Sequence, residues 1–238
     1  MRRPSELATG ESCQTCKVRK EGFFCNLPPA ALKAMESIRF TTTYPGGAVL
    51  FAEGDAPRGV MVLCKGRAKV SVASGAGKTL ILRVAKPGEV LALHSVVSNQ
   101  PCQATVETLE PCQVSFFRRE DFLHFLKEHS EASLMAAQQL SASYETACEQ
   151  VRSIGLSGSA PEKLARFLLD WTADAKPSGG EVRAVLTLTH EEIGQMIGTS
   201  RETVTRTLGE LRNQRLVSLK GSMLVVPDRD ALETFAGV

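Results

Sequence analysis

The sequence predicts an α+β chain in three parts: an N-terminal antiparallel β-roll, a long helix, and a small C-terminal domain of helices closed by a β-hairpin. Three observations predict it. Short β-favouring runs punctuated by glycine fill residues 40–117. Apolar residues spaced by three and four then run from Ala137 to Ile154. Beyond residue 187, two short amphipathic segments separated by glycine precede a final pair of β runs. The 238 residues allow two modest domains, each of about 100 residues or a little more. The expected division is a cysteine-bearing segment at 1–27, the β-roll at 28–128, the long helix at 129–156 and the C-terminal domain at 157–238.

The polar, poorly periodic stretch 1–26 carries Cys13, Cys16 and Cys25. A short helix is expected over 28–38 (PPAALKAMESI), because proline suits the first helical turn. The runs AVLFAEGD, VMVLCKGRAKVSV, LILRVAKPGEVLAL and ATVETLEPCQVSF read as strands, broken at Gly54, Gly66 and Pro87-Gly88. Helical patterning returns near Arg119. Ala137, Leu140, Tyr144, Ala147, Val151 and Ile154 form a heptad seam, as in a helix that pairs with a second copy of itself. The alternative is that this face packs on its own roll. Residues 155–160 (GLSGSA) read as a hinge, and Pro161 opens the next helix.

The stretch 187–226 is the most informative. Thr189 and Glu192 make a T-x-x-E capping box, which starts a helix. Gly194 lets a neighbouring helix approach, and Gly198 makes a tight turn. A second helix starts near Ser200 and is expected to run to about Arg215. Val204, Leu208 and Leu211 form its buried stripe, with Arg201, Glu202, Thr205 and Arg206 on the other side. The chain's formal net charge is only +2, yet this segment holds four arginines against two glutamates. Arginine bonds bidentately to guanine, and glutamate accepts from cytosine, so the exposed set suits a major groove. The β runs about Lys220-Gly221 read as a wing. A charged amphipathic helix alone is more often plain surface, but here the elements of a winged helix-turn-helix follow in order.

The segment EEIGQMIGTSRETVTRTLGELRNQRLV closely resembles the helix-turn-helix of the Crp/Fnr family, and the likeness extends over nearly the whole chain. It implies a cyclic-nucleotide-binding-like roll, a dimer helix, and a homodimer on palindromic double-stranded DNA. The resemblance implies that Arg201, Glu202 and Arg206 read bases, flanked by Thr189, Ser200 and Thr205. Arginine at 201 looks more like Crp than Fnr. RNA polymerase is a partner by the same resemblance, and no enzymatic activity is expected. Without a long apolar run or a signal-peptide h-region, neither a membrane partner nor export is expected, and a cytoplasmic location follows.

The input side divides the family. Gly88-Glu89-Val90-Leu91 and Pro101-Cys102-Gln103-Ala104 stand where a cyclic-nucleotide cassette is expected, but Cys102 replaces the phosphate-binding arginine. A buried phosphate without a cation is poorly stabilised. The cysteines instead resemble the Fnr branch, which implies a [4Fe–4S] cluster on Cys13, Cys16, Cys25 and Cys112. The eight residues between Cys16 and Cys25 exceed the usual Fnr gap, and Lys17, Arg19 and Lys20 fall among them. Four thiolates make a structural zinc site equally well, and thiol redox sensing without metal is a third option. Cys64, Cys102 and Cys148 read as small buried hydrophobes.

Overall fold

A computed structural model describes residues 12–16, 22, 24–155, 158–177 and 180–237, with the side chains of 153–155 excepted. Lys17, Arg19, Lys20 and the side chain of Ile154 therefore lie outside the described residues. The fold is the expected α+β arrangement of roll, helices and winged helix-turn-helix.

Helix α1 (Pro29–Ser37) matches the expected one, with proline in its first turn. The roll then follows as β1 (Phe40–Tyr44), β2 (Val49–Phe51), β3 (Gly59–Lys65), β4 (Ala68–Ala73), β5 (Thr79–Ala85), β6 (Val90–Leu91), β7 (Thr105–Thr108) and β8 (Cys112–Arg118). Two antiparallel sheets form among the described residues, in the orders β1-β8-β3-β6 and β2-β7-β4-β5. The run VMVLCKGRAKVSV divides into β3 and β4 at Gly66, whose φ of 86° needs glycine. The run LILRVAKPGEVLAL is not continuous strand. It yields β5, the two-residue β6, and a helix α2 (Leu93–Ser98) that the residues did not announce.

The two faces of β3 and β8 serve two cores. Leu63, Val114 and Cys112 point between the sheets. Val60, Val62 and Phe117 point outward, against α1, α3 (Arg119–Glu128) and α4 (Ser130–Gly155). Phe122 is fully buried there, its ring 5.6 Å from Phe24, 6.5 Å from Phe117 and 6.4 Å from Phe125. Losing such a side chain costs about 3–5 kcal/mol, so this aromatic group fixes the N-terminal segment and α3 to the roll.

The chain divides into two compact units between Thr146 and Ala147. The division falls inside α4, ahead of the expected hinge. In the second unit the end of α4 bonds locally, Gln150 Nε2 donating to Met196 O at 3.0 Å. That unit continues with α5 (Ala160–Trp171), β9 (Val182–Val185), α6 (His190–Ile197), α7 (Arg201–Asn213), β10 (Ser218–Lys220), β11 (Met223–Val226) and α8 (Arg229–Ala236). Its sheet order is β10-β11-β9. Among the described residues, no helix is long and apolar enough to cross a membrane.

Candidate functional site

The helix-turn-helix forms as its residues dictate. Thr189 Oγ1 accepts from the Glu192 N–H at 3.2 Å, and Glu192 Oε2 accepts from the Thr189 N–H at 2.9 Å. Gly198 ends α6 with φ 70°. Gly194 is required by space: a Cβ there would meet the Thr199 carbonyl oxygen at 2.8 Å. Ser200 caps α7, its hydroxyl accepting from the Thr203 N–H at 3.2 Å. Val204, Leu208 and Leu211 are buried, while Arg201, Glu202, Thr205 and Arg206 are exposed together. The Glu202 carboxyl is held below its usual range by its own backbone N–H, then by the Ser200 hydroxyl and Arg201, so it is ionised at neutral pH.

Two details were not legible in the residues. Thr205 Oγ1 donates to Arg201 O at 3.0 Å and lies 2.8 Å from His190 Nδ1. The hydroxyl's single proton is spent on the carbonyl, so the imidazole must donate from Nδ1. Helix α7 also stops at Asn213, not Arg215. The Arg215 N–H bonds Arg212 O and the Leu216 N–H bonds Leu211 O, both at 3.0 Å, which is a Schellman ending with Arg215 at φ 59°. The wing forms about Gly221, with Lys220 exposed at its tip.

Along the seam, Ala137, Tyr144, Ala147 and Val151 are exposed, and Tyr144 and Val151 each keep 71% of their surface. Leu140 is half-buried against the roll. The adjoining face of α4 supplies Ala132, Ala136 and Gln139 to the core. In a single chain Tyr144 and Val151 of the heptad stripe are thus left largely exposed, and Leu140 is shared with the roll.

The N-terminal cysteines meet at a cavity of about 40 Å³ bordered by Cys13, Cys16, Cys25, Cys64, Arg39, Lys65 and Ser115. Glu36 on α1 holds the first of them: its Oε1 accepts from the Cys13 N–H at 2.6 Å and the Ser12 hydroxyl at 2.8 Å. Arg39 Nη1 donates to Cys13 Sγ at 3.0 Å. Gly22 seats the third, since a Cβ there would meet Gly88 Cα at 2.7 Å and Cys25 Sγ at 3.0 Å. Burial raises the thiol pKa of Cys13, Cys25 and Cys64, and Cys25 is pushed up to about 12 by burial and by the neighbouring thiols of Cys64, Cys13 and Cys16. The donor set is all sulfur with two cations beside it, which suits a thiolate-bound group of negative charge. No three His, Cys, Asp or Glu side chains among the described residues are arranged to hold a single metal ion.

Cys112 does not join this group. It is fully buried between the sheets, with Sγ directed at Arg67 O (3.3 Å) and Glu110 O (3.2 Å). Strand alternation is the reason: on β8, Gln113, Ser115 and Phe117 face the cavity, so Cys112 faces away. The structure thus brings together three of the four expected ligands and adds Cys64, which had been read as a plain core residue. The pattern Val60, Val62, Cys64, with period two, carried that signal.

Sequence comparison places these features. A family model described as a Crp-like helix-turn-helix domain matches residues 162–235, and one described as a cyclic nucleotide-binding domain matches 41–129. The chain belongs to the Crp/Fnr family. This family consists of DNA-binding transcription regulators without enzymatic activity. The Crp-family chain is 22% identical over 214 residues to the CRP-like cAMP-activated global transcriptional regulator of Mycobacterium tuberculosis, covering 90% of this chain and 95% of that one. It is 26% identical to the cAMP-activated global transcriptional regulator CRP of Pasteurella multocida, over 77% of this chain and 88% of that one. Among solved structures, FixK2 from Bradyrhizobium japonicum matches with a TM-score of 0.74 at 19% identity, over 83% of this chain and 97% of that one. A CooA mutant from Carboxydothermus hydrogenoformans matches with a TM-score of 0.73 at 20% identity, over 89% and 93%.

This Crp-family roll holds a second cavity, of about 400 Å³, bordered by Tyr44, Leu50, Asp55, Arg58, Ala92 and Cys102 among others. Cys102 sits where the phosphate-binding arginine was expected, and it is buried. Glu89 is already engaged: it pairs with Arg83 and accepts from the Lys86 N–H at 2.9 Å. Arg58 is the cation bordering this cavity, and the residues alone did not single it out.

Proposed function

We propose that this Crp-family chain is a homodimeric, sequence-specific transcription regulator that responds to oxygen, nitric oxide or redox state through a [4Fe–4S] cluster on its N-terminal thiols. The observation that carries the reading is the convergence of Cys13, Cys16 and Cys25 on one cavity. When bound, such a cluster supplies an oxygen-sensitive redox centre. The chain's own residues do the rest. Glu36 and Gly22 hold the cysteines in place, and the thiols release protons as their sulfurs become ligands. The exposed seam of α4 pairs with its copy, which sets two α7 helices about 34–36 Å apart on a palindrome. Arg201, Glu202 and Arg206 then read base edges from α7, with Thr189, Ser200 and Thr205 beside them. A cytoplasmic location and contact with RNA polymerase fit this role.

Anaerobic purification followed by iron, sulfide and zinc analysis tests the input, and retardation of palindromic DNA before and after air exposure tests its coupling. A brown protein with acid-labile sulfide, whose DNA affinity changes in air, is expected. A colourless protein with stoichiometric zinc and no sulfide would overturn it.

A second reading rests on the larger cavity. Its volume and the bordering Arg58 and Asp55 suit a small polar effector. Relatives named as cAMP-activated support that alternative. Titration of the metal-free protein with cyclic nucleotides, followed by DNA retardation, decides it.

A further inference from the structure

The N-terminal cavity holds a fourth thiol that the family resemblance did not assign. We infer that Cys64 on β3, and not Cys112 on β8, completes the ligand set with Cys13, Cys16 and Cys25. The inference rests on the cluster reading above and concerns its fourth ligand alone.

Three observations carry it. First, Cys64 borders the same cavity as the other three, and its Sγ lies 3.2 Å from Ser115 Oγ, on the cavity face of β8. Second, Cys112 cannot turn to that face without a one-residue slip of β8. The slip would break the pairing of Cys112 with Tyr44 and of Val114 with Leu63 and send the core residues of β8 outward. Third, the surroundings of Cys112 are closed: a mere Cβ at Gly66 would meet its Sγ at 2.6 Å. Cys64 is only partly buried and already borders the cavity, so its sulfur can take an iron without moving the sheet. A cubane is larger than a single ion, and its thiolates stand farther apart.

The assignment changes what the ligand set connects. With Cys112 it would tie the N-terminal segment to the closed interior of the roll. With Cys64 it ties it to the outer face of β3, whose Val62 pairs with Val90 on β6.

The test uses the full chain, reconstituted anaerobically with ferrous iron and sulfide. Iodoacetamide labelling read by mass spectrometry compares the metal-free and reconstituted wild-type protein. Labelling of Cys64 is expected to fall by about tenfold or more on reconstitution. Unchanged labelling of Cys64 in a protein that has taken up iron and sulfide would overturn the assignment and leave the cluster reading intact. Two variants serve as a second arm. Cys64→Ser should lose most of the visible thiolate-to-iron absorbance, and Cys112→Ala should keep it. The reverse result overturns the inference. A wild-type chain that takes up no iron or sulfide overturns the cluster reading itself.

Discussion

Gln139 on α4 donates its side-chain amide to the backbone carbonyl of Val90 at 2.7 Å, deep in the core on the outer face of β3 and β8. Val90 pairs with Val62, which borders the thiol cavity. Two non-covalent steps therefore separate that cavity from the helix bearing the heptad seam. The other amide atom, Gln139 Oε1, is buried and makes no hydrogen bond among the described residues. A buried unpaired oxygen costs about 1–3 kcal/mol. Gln139→Ala should lower stability by about 2 kcal/mol, since it leaves Val90 O bare and opens a void. Gln139→Met keeps the volume and removes both the bond and the orphan, so it should cost less. Urea unfolding measures the difference. A Gln139→Met variant as stable as the wild type would deny Gln139 its bonding role.

Arg206→Ala should weaken binding to the preferred DNA by about 1–3 kcal/mol and relax selection at one base pair. Thr205→Ala should act differently. Its hydroxyl is engaged with Arg201 O and His190, so its loss should loosen the start of α7 and weaken all sequences alike. Retardation across a set of half-site variants separates a change of selectivity from a uniform loss.

Tyr144→Lys or Val151→Lys places a charge on the stripe that α4 leaves exposed. Neither should disturb the fold of one chain. Either should weaken self-association by about tenfold or more, each factor of ten being about 1.4 kcal/mol. Sedimentation equilibrium reads this directly, and wild-type association in both variants would remove the seam from the dimer.

Alkali should destabilise the metal-free protein. Cys25 stays protonated in the fold up to about pH 12, whereas an unfolded cysteine titrates near pH 9. Between these values the unfolded chain binds fewer protons, so stability falls as pH rises. Below about pH 9 this contribution is constant. Cys25→Ser should flatten the alkaline slope in thermal scans taken from pH 8 to 10.

Arg215 sits at φ 59°, a conformation that costs a side chain about 1 kcal/mol. Arg215→Gly should leave thermal stability unchanged or higher by up to about 1 kcal/mol. A clear loss of stability would show that the arginine side chain contributes more than its backbone costs.

The DNA-reading half was legible because its signals are local. The Thr189–Glu192 box, the glycines at 194 and 198 and the stripe from Val204 to Leu211 each span a few residues. Helix α2 escaped notice for the opposite reason. It is six residues long, contains Val96 and Val97, and is bounded by Ala92 and Asn99 at positive φ. The thiol site was half legible. Three cysteines lie close in sequence, but the fourth depends on which face of β3 or β8 the N-terminal segment covers. Pairing between distant strands decides that, and a single residue of register reverses it.

The cysteine segment has two separate moorings, one where Glu36 grips Ser12 and Cys13, the other where Gly22 rests on Gly88 and Phe24 packs at a tilt against Phe122. Neither mooring is made through a sulfur, so the segment's hold on the roll does not depend on what the thiols bind.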